Sequence, residues 1–179
     1  MSAPNFITVD SVLASRGRLK TKVLYTPNWG GYTLIMEMTG KARDAYEAEL
    51  MTVSGKGRNQ TVKPDWRNSR AKLVAKHIVD PSDFDVQEVV NPDVWERNYN
   101  EPQQALISGA VEYRATLKEG HSPKLLFNSI QVNDLGDVDA STLQFVFDEC
   151  RELSGITEKD VEELEENLKN GHSADYGSN

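Results

Sequence analysis

Apolar and polar residues alternate near the start of the chain. Four apolar residues are separated from one another by single positions: Tyr32, Leu34, Met36 and Met38. This period of two is typical of a strand with one buried face. Residues 23–25 (VLY) form an earlier apolar run, and residues 26–31 (TPNWGG) supply a proline and two glycines for a turn. The pattern predicts a β-hairpin over residues 22–38.

Spacings of three and four residues follow the hairpin and predict helices. Thr39 is placed to cap a first helix, whose apolar side consists of Ala42, Ala45, Tyr46 and Leu50. Residues 54–59 (SGKGRN) then predict a flexible loop. Pro64 is expected to open the second helix, because proline is tolerated in a first turn. The apolar stripe of that helix consists of Trp66, Leu73, Val74, His77 and Ile78.

A long polar stretch at about residues 81–123 interrupts this regular pattern with several prolines. Within it, five residues recur at helical spacing and predict a further helix: Ala105, Leu106, Ala110, Tyr113 and Leu117. Gly109 lies inside that helix and weakens it by roughly 1 kcal/mol relative to alanine.

The last third of the chain has the clearest helical pattern, with apolar residues at Leu143, Val146, Phe147, Cys150 and Leu153. Asp139 or Ser141 is expected to cap this helix, and Gly155 is expected to end it. A second helix is predicted to begin at Thr157, with Asp160 completing a short-armed capping box. Its apolar face consists of Val161, Leu164 and Leu168. The two helices together predict an αα-hairpin.

The predicted fold class is therefore mainly α with a small N-terminal β-hairpin, an α+β arrangement that ends in a C-terminal αα-hairpin. The 179 residues fit one domain. Residues 1–18 are expected to form an arm, residues 19–170 a single helical domain, and residues 171–179 a disordered tail. The sequence contains neither a signal peptide nor an apolar run of membrane-spanning length, so we expect a cytoplasmic protein without membrane contact.

The charge of the chain is unevenly distributed. The formal net charge is −8, but residues 134–179 contain 13 acidic and 3 basic residues, a net charge of −10. Residues 1–133 contain 15 acidic and 17 basic residues, a net charge of +2. An acidic chain is unsuited to binding a nucleic-acid backbone, which needs clustered lysine and arginine. The acidic C-terminal part suits a basic protein partner, or serves solubility.

Residues that could carry catalysis or bind metal are scarce. Cys150 is the single cysteine, and His77, His121 and His172 are far apart in the sequence. Cys150 occupies the apolar face of a predicted helix, where a buried core role is the simpler interpretation. His77 lies beside the apolar stripe of another, where a half-buried core position is the simpler interpretation. The sequence contains neither a phosphate-binding loop nor a nucleophile-elbow motif. We therefore predict no enzymatic activity, no cofactor and no metal.

Contact with a protein partner is the remaining kind of function, and large apolar residues are the candidates for it. Tryptophan and tyrosine are enriched at binding hot spots, although core packing is the favoured role for at least two of the three tryptophans, Trp29, Trp66 and Trp95. The candidate partner-binding residues are Trp29, Tyr32, Trp95, Val161, Leu164 and Leu168.

Several segments, taken in order, resemble the tail assembly chaperones of long-tailed, non-contractile phages. The segments are residues 29–31 (WGG) in the hairpin, residues 39–47 (TGKARDAYE), residues 68–74 (NSRAKLV), and residues 140–143 (ASTL) leading into residues 153–167 (LSGITEKDVEELEEN). The resemblance covers roughly residues 22–79 and 125–170. The insertion at about residues 81–123 departs from the family, whose members have a much shorter link there.

The resemblance implies a protein that acts during assembly and carries out no chemistry. Such chaperones bind the long, helical tape measure protein, keep it soluble, recruit the major tail tube protein, and are absent from the mature virion. In many relatives a ribosomal frameshift makes a longer product, so a longer form of this chain is a further expected partner. The implied location is the host cytoplasm.

Two other functions remain compatible with the sequence. One is a structural virion component, such as a tail-completion or head–tail connector protein, which would be present in purified particles. The other is an acidic host-directed inhibitor, which would bind a basic host protein in a salt-sensitive way and would have no affinity for tail proteins.

Overall fold

The computed structural model describes residues 9–10, 18–54, 61–93, 102–107, 109–157 and 160. They include five α-helices of six residues or more and six strands, which pair as three two-stranded antiparallel sheets. The prediction of a mainly α fold is therefore wrong. Strands occur from residue 21 to residue 117, so the fold is an α+β mixture.

The elements follow one another in the order β1 (Thr21–Thr26), β2 (Gly31–Met36), α1 (Gly40–Glu49), β3 (Met51–Ser54), β4 (Thr61–Pro64), α2 (Ser69–Ala75), β5 (Phe84–Val90), α3 (Pro102–Ile107), β6 (Val111–Leu117), α4 (Gln131–Gly136) and α5 (Ala140–Leu153). Short 3-10 turns at Pro27–Trp29 and Pro81–Asp83 precede β2 and β5.

The N-terminal hairpin is formed as the sequence predicts, but the prediction of one buried face is wrong, since Ile35 on the other face is fully buried and Tyr32 is 47% exposed. Both faces of β2 are covered, because Ile35 packs in the main core and Leu34 in a second cluster. Strands β1 and β2 pair in register from Thr21 opposite Met36 to Thr26 opposite Gly31. The connecting turn ends at Gly30, whose φ of 91° is in the left-handed region that glycine adopts without strain. Residues 77–79 lie beside β2, because the Met36 amide donates to the His77 carbonyl at 2.9 Å. Residues 124–126 bond to the other side of this segment, so the hairpin sheet is locally four segments wide.

The region after the hairpin combines a correct helix prediction with an incorrect one. The Thr39 hydroxyl caps α1 by accepting the Ala42 amide at 3.1 Å. Pro64, however, does not open a helix: it ends strand β4, where it pairs with Met51. The proline nitrogen has no proton to donate to a hydrogen-bonded ladder. Proline is therefore tolerated in an edge strand, where a ladder needs no donor on the open side, and both strands of a two-stranded sheet are edge strands. Helix α2 begins only at Ser69. The loop predicted at residues 54–59 lies outside the described residues after Ser54.

The insertion contains a hairpin in place of the helix predicted between Ala105 and Leu117. Helix α3 ends at Ile107, and Gly109 then has a φ of 72°, which is incompatible with a continuing right-handed helix. Residues 111–117 form β6, with exposure alternating along the strand. Strand β6 pairs with β5 and also lies against β1, where the Thr21 hydroxyl donates to the Ala115 carbonyl at 2.9 Å.

The main hydrophobic core is built around α2. Four residues of this helix are buried: Ala71, Leu73, Val74 and Ala75. These four residues pack against β1, β2, α4 and α5. Helix α5 contributes Leu143, Val146 and Cys150, which recur at i, i+3 and i+7 as predicted. A smaller cluster of Leu34, Val79 and Phe84 joins the insertion hairpin to the N-terminal hairpin. His77 is fully buried, more completely than the predicted half-buried position.

The ends of α5 confirm the predicted caps. The Asp139 carboxylate accepts the Thr142 amide at 2.8 Å. After the helix, Gly155 adopts a φ of 62°, and its amide donates to the Glu152 carbonyl in a Schellman-type termination. Thr157 and Asp160 then form the reciprocal hydrogen bonds of a capping box. The second helix of the predicted αα-hairpin lies outside the described residues beyond Asp160, as do the predicted tail and most of the predicted arm.

Candidate functional site

The structure describes two of the six residues predicted to contact a partner, Trp29 and Tyr32. Four lie outside the described residues: Trp95, Val161, Leu164 and Leu168. Trp29 packs partly buried against the main core, and its indole nitrogen donates to the Asp139 carboxylate at 3.2 Å. Trp29 therefore ties the hairpin turn to the start of α5, which is a structural contact.

Tyr32 belongs to an exposed aromatic cluster. Its ring centroid lies 5.2 Å from that of Tyr25 and 5.0 Å from that of Tyr113, in tilted arrangements typical of aromatic pairs. Tyr32 remains 47% exposed. The cluster spans β1, β2 and β6, so it depends on the insertion hairpin packing beside the N-terminal hairpin. The sequence indicated Tyr32 but not its two partners.

A groove of about 560 Å³ lies beside this cluster, between β1, α3, β6 and α5. Phe145 on α5 is 40% exposed there. The Lys22 ammonium pairs with the Glu149 carboxylate across the groove. Glu112 also lines the groove and pairs with Arg114, so each of the three charged side chains in the lining has an ion-pair partner.

A second cleft, of about 410 Å³, opens between α1, α2 and α5, and we call it the arginine cleft. Helix α1 contributes Arg43, Tyr46, Glu47 and the following Leu50. The remaining lining residues are Trp66, Ser69, Arg70, Leu73, Phe147, Arg151, Ile156 and Asp160. Residues three and four apart on one helix share a face, which explains why α1 and α5 each present an aromatic ring beside an arginine. The lining of the arginine cleft combines aromatic and aliphatic side chains with charged ones.

The three arginines of the cleft have different surroundings. Arg43 is paired, since its guanidinium lies 3.0 Å from the Glu47 carboxylate and 3.9 Å from that of Asp160. Arg151 lies over the Phe147 ring, with its central carbon 5.7 Å from the ring centroid. The Arg151 Nε atom is buried and has no hydrogen-bond partner among the described residues. Arg70 is exposed.

Burial also changes the chemistry of nearby groups. Burial raises the pKa of Tyr46 to about 12, an effect that the positive charge of Arg151 partly opposes. Burial raises the pKa of the Cys150 thiol as well, and Cys150 has no exposed surface. Neither group has the depressed pKa of an activated nucleophile. Within the described part of the chain, no group of three or more metal-ligating side chains is assembled.

The arginine cleft was missed at the level of sequence. Its lining comes from segments about a hundred residues apart, and local spacing shows the face of each helix without showing which faces meet. The available signal was the recurrence of an aromatic residue with an arginine three or four positions away, as in Arg43 with Tyr46 and Phe147 with Arg151.

In comparisons with known proteins, no family model, no curated protein and no solved structure matches the chain. None of the helices within the described ranges has the length and hydropathy of a membrane span.

Proposed function

We propose that this protein is a phage tail assembly chaperone, which binds the tape measure protein in the host cytoplasm, keeps it soluble, and is absent from the mature virion. The observation that carries this proposal is the ordered resemblance of four separate segments to that family. A chance match to a common capping box would affect one segment, whereas here hairpin, first helix, second helix and C-terminal helix follow in the expected order.

The geometry supports the proposal through the arginine cleft. Three of the segments that carry the resemblance contribute described residues to its lining: Arg43, Tyr46 and Glu47 from residues 39–47, Ser69, Arg70 and Leu73 from residues 68–74, and Ile156 and Asp160 from residues 153–167. These segments are distant in the sequence but adjacent in the fold. A shared surface is a reason for such segments to recur together in one family.

A surface of this kind suits a tape measure protein as its client. Its long helices expose apolar faces until the tube encloses them, and a cleft with aromatic walls can cover an apolar stripe in a helix-in-groove arrangement. Burial of apolar surface contributes about 25 cal/mol per Å². Several copies on one long client gain further affinity through avidity. The acidic C-terminal part of the chain keeps the complex soluble.

Co-expression tests the proposal. The tape measure protein of the same phage would be produced with and without this chain, and its soluble fraction and co-purification would be measured. We expect a larger soluble fraction and a recoverable complex. A tape measure protein that stays equally insoluble in both cultures would refute the chaperone function. Recovery of this chain at fixed copy number from purified virions would instead support a structural component.

A further inference from the structure

We propose that the arginine cleft is the client-binding surface, and that its occupant is an amphipathic helix whose apolar face carries a carboxylate aimed at Arg151. This inference rests on the proposed function and adds the location of the contact and the chemistry of the segment recognised.

The shape favours side chains from a helix. The walls are aromatic and aliphatic, from Tyr46, Leu50, Leu73, Phe147 and Ile156, and the volume of about 410 Å³ suits a few anchor side chains. An amphipathic helix presents such anchors at i, i+3 and i+4, on a stripe that lies along a cleft. Trp66, 40% exposed at the rim, adds a large apolar surface of the kind found at binding hot spots.

The charges favour a carboxylate. Arg43 has acidic partners in Glu47 and Asp160, but Arg70 and Arg151 have none within ion-pair distance in the described ranges. Within the described part of the chain, two of the three guanidinium groups of the cleft therefore have no ion-pair partner of their own, although the net charge of the chain is −8. Guanidinium binds a carboxylate through two parallel hydrogen bonds, which are strengthened where water is excluded.

Arg151 is the group best placed for this contact. Phe147, one turn earlier on α5, holds the guanidinium by a cation–π contact. The Arg151 Nε proton is shielded from solvent and unsatisfied among the described residues. Nε is therefore closed to a ligand as well, and the terminal nitrogens of the guanidinium are the donors that a client carboxylate in the cleft can reach. These nitrogens can donate two parallel hydrogen bonds to the carboxylate.

Nucleic acid is the less favoured occupant, although arginine beside aromatic rings also suits stacked bases. Glu47 and Asp160 line the same cleft and would repel phosphates. A helix with a single carboxylate can avoid these two acidic groups, whereas a phosphate backbone carries a charge at every nucleotide.

The test uses overlapping synthetic peptides that tile the tape measure protein, titrated against the full-length chain. The variants are Arg151→Met, which keeps an apolar stem, and Arg151→Lys, which keeps the charge but loses the bidentate fork. Arg114→Met is the matched control, because Arg114 is an exposed arginine on β6 that pairs with Glu112 outside the cleft. Circular dichroism would establish that each variant is folded.

We expect the tightest peptides to contain Asp or Glu within an apolar helical stripe. Arg151→Met should weaken their binding roughly tenfold or more, Arg151→Lys less, and Arg114→Met by less than about twofold. Changing the peptide's carboxylate to the corresponding amide should weaken binding to the wild type but should have little further effect on Arg151→Met. Such non-additivity in a double-mutant cycle identifies the pair directly.

Several results would overturn the inference. Additive effects of the two changes would show that the carboxylate does not contact Arg151. Competition by a single-stranded oligonucleotide, or by a peptide of residues 160–170 of this chain, would assign the cleft to another occupant. If Arg151→Met still solubilised the tape measure protein as well as wild type, the chaperone function would stand and the cleft assignment would fail. If the wild type did not solubilise it, the proposed function itself would fail.

Discussion

The His77 imidazole nitrogen Nε2 lies 2.7 Å from the Ser154 hydroxyl at the end of α5. The same hydroxyl accepts the Met38 amide at 3.2 Å, and His77 Nδ1 lies 2.8 Å from the Leu73 carbonyl. A carbonyl can only accept, so Nδ1 carries the proton of the neutral ring and Nε2 accepts from Ser154. This fully buried histidine therefore joins α2, α5 and the segment after β2.

Stability should fall as the pH drops below the ordinary histidine pKa of 6.5. Burial lowers the pKa of His77 in the folded state, so the unfolded chain binds a proton that the folded chain does not. Above pH 6.5 both states are neutral and the effect vanishes. Below it, each pH unit costs at most about 1.4 kcal/mol until His77 titrates in the folded state. Denaturant melts between pH 7.5 and pH 5 would measure this slope.

Two variants distinguish the contribution of His77 to the pH dependence of stability from the contributions of other titrating groups. His77→Gln cannot be protonated and should lose most of the slope between pH 7 and pH 5, although it is less stable at neutral pH. His121→Gln should retain the slope, because His77 is unchanged there. An undiminished slope in His77→Gln would assign the effect to another group.

Asp139→Ala should lower the melting temperature by a few degrees. Asp139 caps α5 and also accepts from the Trp29 indole and the Ser141 hydroxyl. Hydrogen bonds from Thr142 lower the pKa of Asp139 to about 2, so the stabilisation is present above about pH 4 and is lost as the pH falls towards 2. Asp148→Ala, which removes an exposed carboxylate from the middle of the same helix, should leave the melting temperature nearly unchanged. Calorimetry would compare the two, and equal effects would contradict the capping role.

The Cys150 thiol should be unreactive in the folded protein. It has no exposed surface, and burial raises its pKa, so little thiolate is present to attack a reagent. Labelling with a disulfide reagent should be slow under native conditions and should reach one thiol per chain in denaturant. Fast native labelling would show that the junction between α5 and α2 opens readily.

Ile35→Ala should be among the most destabilising single changes, costing about 2–5 kcal/mol. Ile35 is fully buried on β2 and faces the α2 side of the main core. Val86→Ala provides a matched comparison, because Val86 on β5 is 46% exposed and should cost well under 1 kcal/mol. Urea denaturation of both variants would measure the difference. Similar losses would contradict the position of the core.

Turns and caps could be predicted from the sequence because their signals are only a few residues long. Thr39, Asp139 and Gly155 each act on neighbouring amides or carbonyls, so no distant contact is needed to identify them. The N-terminal hairpin could be predicted for the same reason, because its turn residues, including Gly30, lie directly before the stretch in which apolar and polar residues alternate.

The insertion hairpin was misread because two periods overlap in one stretch. Ala105 to Leu117 contains apolar residues at helical spacing, yet Val111, Tyr113, Ala115 and Leu117 also alternate with polar residues. The left-handed backbone at Gly109 and the pairing with β5 decide in favour of the strand. That partner strand lies about 25 residues earlier, and Leu117 pairs with Phe84, so local propensity could not reveal it.

A dilution assay measures whether this chain keeps the proposed client, the tape measure protein, soluble. Purified tape measure protein would be diluted from denaturant into buffer with increasing amounts of this chain, and light scattering would be recorded. We expect scattering to fall and to reach its minimum at a fixed molar ratio, whereas an unrelated protein of equal size and net charge should have no such effect. Scattering that stays unchanged, or that the unrelated acidic protein suppresses equally well, would refute the proposed chaperone function.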